Sequence, residues 1–142
     1  MNKRYFKFAR EAAMQSTYTG SHNFSPQIGV CLVYKGTIIA TASNSNKTSP
    51  LQARYNVYRY KDSNTLDKLH AEVAAIQKVR WKFGDSIDWT KVEPYIYREY
   101  KDGSLAPSIP CAACERLMRD LGIKKVHCTT ENGFITIKYR DS

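Results

Sequence analysis

His70-Ala71-Glu72 and, further along, Pro110-Cys111-Ala112-Ala113-Cys114 bring together residue types suited to metal chemistry. One imidazole and two thiolates are donors that a zinc ion takes, and three protein ligands leave its fourth position open, the mark of a catalytic rather than a closed structural site. His70, Cys111 and Cys114 are therefore the candidate ligands, with Zn2+ as the candidate cofactor. Glu72 stands two residues after the histidine. There a carboxylate can carry protons for a water that such an ion activates. A bare C-x-x-C is weak on its own, because it also fits a redox pair or half of a zinc ribbon. The chain has four cysteines and no second C-x-x-C, so a four-cysteine site is not available. A redox pair would give no reason for the upstream H-x-E. Cys31 and Cys128 lie in apolar, strand-like runs and are expected to be reduced core thiols.

The elements that must position these residues follow from periodicity. Residues 3–17 are expected to be helical, with Phe6, Ala9, Ala13 and Met14 on one face and Lys3, Lys7, Arg10 and Glu11 facing solvent. Residues 27–34 and 37–43 are β-rich around a Lys35-Gly36 turn. A long polar connection covers 44–65, and connections of that length are more often functional than decorative. A second helix is expected from Leu66 to Phe83, with Leu69, Val73, Ile76 and Val79 as its apolar stripe and Gly84 closing it. Residues 93–100 read as a strand and Lys101–Ile109 as a loop. A third helix is expected to start at Pro110 and end before Gly122, with Ala113, Leu117, Met118 and Leu121 facing the core. Strands at 124–130 and 134–139, joined by Glu131-Asn132-Gly133, should be antiparallel neighbours. The fold class is α/β: a single domain over residues 1–142 with one mixed five-stranded sheet sandwiched by helices. Both ligand motifs then fall at helix starts, where the positive helix ends favour thiolates.

The combination H-A-E and P-C-x-x-C, in this order of elements, resembles the cytidine-deaminase-like superfamily over nearly the whole chain. The resemblance implies that His70, Cys111 and Cys114 ligate zinc. It implies that Glu72 takes a proton from the activated water and passes it to the ring nitrogen, then to the leaving ammonia, while hydroxide attacks the amine-bearing carbon. An asparagine at the end of the second strand contacts sugar or base in that family; Asn44 matches best and Asn46 is the neighbouring alternative, with an ordinary turn asparagine as the plain reading. Ala71 and Pro110, beside the ligands, and His22, Asn23 and Phe24, in the loop that borders the active site in the family, are the other candidate substrate contacts. The long helices that end adenosine-type tRNA deaminases have no counterpart here. The terminal hairpin instead resembles the branch containing free-cytidine deaminases, toxin deaminases and RNA-editing deaminase domains. Free-cytidine enzymes of that branch usually have cysteine as first ligand; His70 here points instead to the toxin and editing relatives, which act on polynucleotides, although dCMP deaminases also have histidine.

The net charge of +9 favours polyanionic partners, nucleic acid or phosphorylated small molecules. Arg54-Tyr55-Asn56-Val57-Tyr58-Arg59-Tyr60-Lys61 interleaves cations with aromatics. Arg54, Tyr55, Tyr58, Arg59 and Lys61 could neutralise phosphates and stack on unpaired bases; equally, the tyrosines could pack on the domain with the charges solvated. The expected activity is conversion of cytosine to uracil in single-stranded DNA or RNA. Deamination of free cytidine, deoxycytidine or dCMP is the alternative, and a catalytically silent, zinc-stabilised nucleic-acid-binding module is a third. No apolar stretch approaches a membrane span and the basic N-terminus lacks a signal-peptide core, so the expected location is cytoplasmic.

Overall fold

A computed structural model describes residues 1–18, 27–47, 49–58 and 69–140. The elements run α1 (Arg4–Met14), β1 (Ile28–Tyr34), β2 (Thr37–Ser43), α2 (Pro50–Tyr55), a 3-10 turn (Asn56–Tyr58), α3 (Ala71–Phe83), β3 (Val92–Arg98), α4 (Ala112–Leu121), β4 (Lys125–Thr130) and β5 (Gly133–Lys138). The five strands form one sheet in the order β2-β1-β3-β4-β5. β3 and β4 are parallel, and every other neighbouring pair is antiparallel.

β1 shows why the sheet must be covered on both sides. Its residues Val30, Cys31, Leu32 and Val33 are all buried, although alternate side chains point to opposite faces. Val30 and Leu32 join the core beneath α3 and α4 with Ile76, Ile96 and Met118. Cys31 and Val33 join the core beneath α1 with Phe6, Ala9 and Tyr95. α1 lies so close to β1 that a Cβ on Gly29 would meet the Ala9 carbonyl oxygen at 1.9 Å. Glycine there is what lets helix and strand touch.

Phe6, Ala9 and Ala13 are buried as expected, but Met14 is exposed while Tyr5 and Ala12 turn inward. Tyr5 reaches across to donate to the Gly36 carbonyl at 3.0 Å, which sets the rotation of α1. In the last hairpin Glu131-Asn132 form the turn and Gly133 takes the positive φ of 132°. The glycine therefore carries the unusual backbone.

Three expected boundaries are corrected. The connection 44–65 contains α2 and the 3-10 turn, because Ser49 caps α2 and Pro50 sits in its first turn. The second helix does not reach back to Leu69 or His70; it begins at Ala71, because the Leu69 N–H donates to Lys47 O at 2.9 Å and its carbonyl accepts from Ser45 N at 3.0 Å. The third helix begins at Ala112 rather than Pro110, because Ser108 N–H donates to Thr129 O at 3.0 Å and keeps the approach extended.

Candidate active site

His70 and Cys111 are the N-cap residues of α3 and α4, each with extended backbone (ψ 154° and 168°). Neither side chain caps its own helix; both turn into a shared pocket. Cys114, one turn into α4, is fully buried there. His70 Nδ1 stands 3.6 Å from Cys111 Sγ and 3.4 Å from Cys114 Sγ. For a tetrahedral zinc with Zn–N of about 2.05 Å and Zn–S of about 2.3 Å, simple trigonometry gives an N···S separation of about 3.6 Å. His70 Nδ1 thus already stands at the spacing zinc requires from both sulfurs, and all three donor atoms lie within 4.8 Å of one another.

Electrostatics agree with a cation there. Cys111 is pulled down to about 3, first by its hydrogen bond with Cys114 and then by His70, against burial. Cys114 moves the other way, pushed up by Cys111, by burial and by Glu72. The pocket holds one thiolate readily and opposes a second, and a divalent cation removes that opposition. The first-turn N–H groups of both helices add fixed positive ends.

Glu72 lies in the first turn of α3 and is 5% exposed. Burial, and secondarily the Cys111 charge, raise its carboxyl above the usual carboxylate range, against His70. A carboxyl so placed can take up a proton and give it back. Ala71 is buried and Pro110 half-buried, each next to a ligand.

Asn44, just after β2, is buried. Its side-chain oxygen accepts from Ile28 N at 3.1 Å and from the Ser16 hydroxyl at 2.7 Å. That oxygen latches the end of α1 to the first two strands. Asn46 is exposed. His22, Asn23, Phe24, Arg59, Tyr60 and Lys61 lie outside the described residues. Of the rest of the basic-aromatic run, Arg54 is exposed, the Tyr55 hydroxyl donates to Asp120 at 2.8 Å, and Tyr58 lies under the Arg116 guanidinium at 5.5 Å. Cys31 and Cys128 are buried free thiols, as expected.

Sequence reasoning missed Gln52. It is fully buried and accepts from the His70 backbone N–H at 3.1 Å. The available signal was Ser49-Pro50-Leu51-Gln52, a capping-box pattern inside what looked like a plain loop.

A mixed sheet with two helix N-termini brings a histidine and two cysteines to one point, the donor set of a three-ligand zinc site. The profile of the cytidine and deoxycytidylate deaminase zinc-binding region matches residues 1–130. The chain belongs to that family. Among solved structures, the cytidine deaminase of Burkholderia pseudomallei is 15% identical, covering 97% of this chain and 92% of its own, with a TM-score of 0.66. The dCMP deaminase of cyanophage S-TIM5 is 23% identical over 89% of this chain and 79% of its own, with a TM-score of 0.58. The cytidine deaminase of Mycobacterium leprae is 19% identical over 94% and 91%, with a TM-score of 0.56. At these identities the likeness speaks for the fold. No curated protein sequence matches significantly. No helix among the described residues is long and apolar enough to cross a membrane.

Proposed function

We propose that this protein hydrolyses the exocyclic amine of cytosine in a small nucleoside or nucleotide, giving uracil and ammonia. The observation that carries the reading is the pocket of His70, Cys111 and Cys114 with buried Glu72 beside it. Zinc held by those three residues would supply a Lewis acid that makes hydroxide available at neutral pH. Glu72 accepts the proton that hydroxide formation releases. It passes that proton to the ring nitrogen as the C–O bond forms, then carries the proton of the newly added hydroxyl to the departing amine as the C–N bond breaks and the carbonyl closes. Burial pushes its carboxyl up from the ordinary carboxylate range, the direction that favours taking up a proton. A silent binding module would have no need of such a carboxyl.

A small substrate is favoured by the solved relatives rather than by the basic-aromatic run, where the Tyr55 hydroxyl is taken by Asp120 but Tyr58, under Arg116, is still 49% exposed. The cyanophage structure was solved with dCMP and dUMP, and the +9 charge suits a phosphate. A second reading, action on single-stranded nucleic acid, draws on Trp81. That side chain is 93% exposed and borders a groove of about 890 Å3 with Arg54, Lys78 and Arg80.

The test is uracil formation, read by mass spectrometry, from cytidine, deoxycytidine, dCMP, single-stranded DNA and single-stranded RNA, with Glu72→Ala as control. Product from the small molecules alone supports the reading. Product only from oligonucleotides, with activity falling steeply as salt rises, replaces it with the second.

A further inference from the structure

We propose that Gln52 is a positioning residue for the metal centre: its side-chain amide fixes the backbone of His70, and segment 49–58 thereby braces the two ligand-bearing helices. This rests on the zinc reading of the site.

Gln52 Oε1 accepts from His70 N at 3.1 Å, and its Nε2 donates to Asn56 Oδ1 at 2.8 Å. Both amide orientations are forced. A backbone N–H can only donate, so Gln52 must show it an oxygen. Its nitrogen then faces Asn56, which must present an oxygen in turn. That leaves Asn56 Nδ2 buried with no partner among the described residues. Burying a donor without a partner is costly. The network accepts this and keeps the His70 bond.

The N–H of an N-cap residue takes no part in its own helix. In a capping box, the glutamine at N3 reaches back to that N–H on the same helix. Here Ser49 Oγ accepts from Gln52 N at 3.2 Å, as the box requires, but the Gln52 side chain serves the N-cap of α3 instead. The capping box is split between two helices. Ser49 Oγ also accepts from Gln77 Nε2 on α3 at 2.8 Å. At the far end of the segment, Tyr55 holds Asp120 on α4. Exposed contacts of that kind contribute little singly; the buried amide is the determining contact. Outer-shell partners that hold a ligand in place are worth about 10–100-fold in metal affinity, so a His70 backbone free to drift would weaken the ion's hold.

The test compares zinc affinity, by chelator competition, with thermal midpoints in the presence and absence of zinc. Gln52→Met keeps the length and removes the acceptor; its zinc affinity should fall about tenfold or more, the scale seen when outer-shell partners are lost. Gln52→Glu keeps an acceptor for His70, and the Asn56 amide can turn its free Nδ2 towards it; affinity should stay within about threefold. If Gln52→Met does not fold, Asn56→Leu, which frees the Gln52 amide to rotate, should show the same direction of loss. Wild-type zinc affinity in a folded Gln52→Met or Asn56→Leu protein, with only the zinc-free midpoint lowered, overturns the proposal. Failure of the wild type itself to bind zinc overturns the reading of the site and the proposal with it.

Discussion

Stripped of metal, Cys111 should alkylate at a rate that hardly changes between pH 7 and pH 5. An ordinary thiol with a pKa of about 8.5 is about 3% thiolate at pH 7 and about 0.03% at pH 5, so its alkylation slows about a hundredfold over that range. Cys111 lies near 3, pulled down first by Cys114 and then by His70, and stays thiolate throughout. Its intrinsic nucleophilicity is lower, because reactivity falls with pKa along a Brønsted slope of about 0.45. A pKa difference of about 5.5 then makes each thiolate about 300-fold less reactive. Set against a thiolate population about thirtyfold larger, this leaves Cys111 about tenfold slower than a free cysteine at pH 7 and about tenfold faster at pH 5.

Iodoacetamide labelling followed by peptide mass spectrometry reads this directly. Cys114 is fully buried, and burial pushes Cys31 up to about 12 and Cys128 up to about 11. One site per chain should therefore label in chelated protein, and zinc should protect it. A hundredfold fall in the Cys111 rate from pH 7 to pH 5 would refute the electrostatic account of the pocket. Labelling that zinc does not slow would refute Cys111 as a ligand.

Glu72→Gln should lower kcat by about 10²–10⁴ with zinc affinity retained; burial raises the Glu72 carboxyl, so the zinc-free protein should melt no lower than wild type at pH 7, and a lower midpoint would show that the carboxylate supports the fold. Gly29→Ala places a Cβ 1.9 Å from Ala9 O and 2.4 Å from Ala13 N. It should cost about 2–3 kcal/mol, or about 5–10 °C in Tm, with zinc affinity intact because α1 covers the other face of the sheet. His127 is buried between Glu93 at 2.7 Å and Thr136 at 2.8 Å, and burial lowers its pKa below 6.5 in spite of Glu93. The native state therefore declines a proton that the unfolded chain accepts, so stability should fall as pH drops below about 6.5. In urea titrations at pH 7 and pH 5, His127→Gln should lose less between the two than wild type; equal losses would assign the acid limb to other groups.

The candidate metal site was legible because zinc restricts ligand type and spacing so tightly that five residues, Pro110 to Cys114, and one H-x-E sufficed. The buried stripe Val73, Ile76 and Val79 was legible for the same kind of reason, a period that only one face satisfies. The helix starts were not. Periodicity carries no sign of the bonds that hold Leu69 to residues 45 and 47, or Ser108 to Thr129, and those bonds end the extended approaches. α2 was hidden because six residues are too few for a period to show. Its Ser-Pro start and its Gln52 were visible in the chain, but the partner of Gln52, the His70 N–H, lies 18 positions away. The tyrosines at 55 and 58 were ambiguous for the opposite reason: their spacing fits stacking and packing alike, and their contacts with Asp120 and Arg116 on α4 carry no trace in the local sequence.

Placing ligands at N-cap positions brings an advantage and a demand. The advantage is that two sets of unbonded N–H groups point at the anionic donors. The demand is that a cap residue lies outside its helix's hydrogen-bond ladder, so its backbone must be held by something else. On the histidine side that is Gln52. On the cysteine side it is Ser108, three residues before Cys111, whose hydroxyl donates to Ile96 O at 2.8 Å and accepts from Thr129 N at 2.8 Å. Thr129 in turn donates its hydroxyl to Ala106 O at 2.7 Å, so the approach to Cys111 is tied to both central strands β3 and β4. Ser108, Thr129 and Gln52 are among the buried polar residues of the domain. Buried polar groups are retained where they fix one arrangement against its neighbours, and here the arrangement they fix is the backbone of His70 and the approach to Cys111.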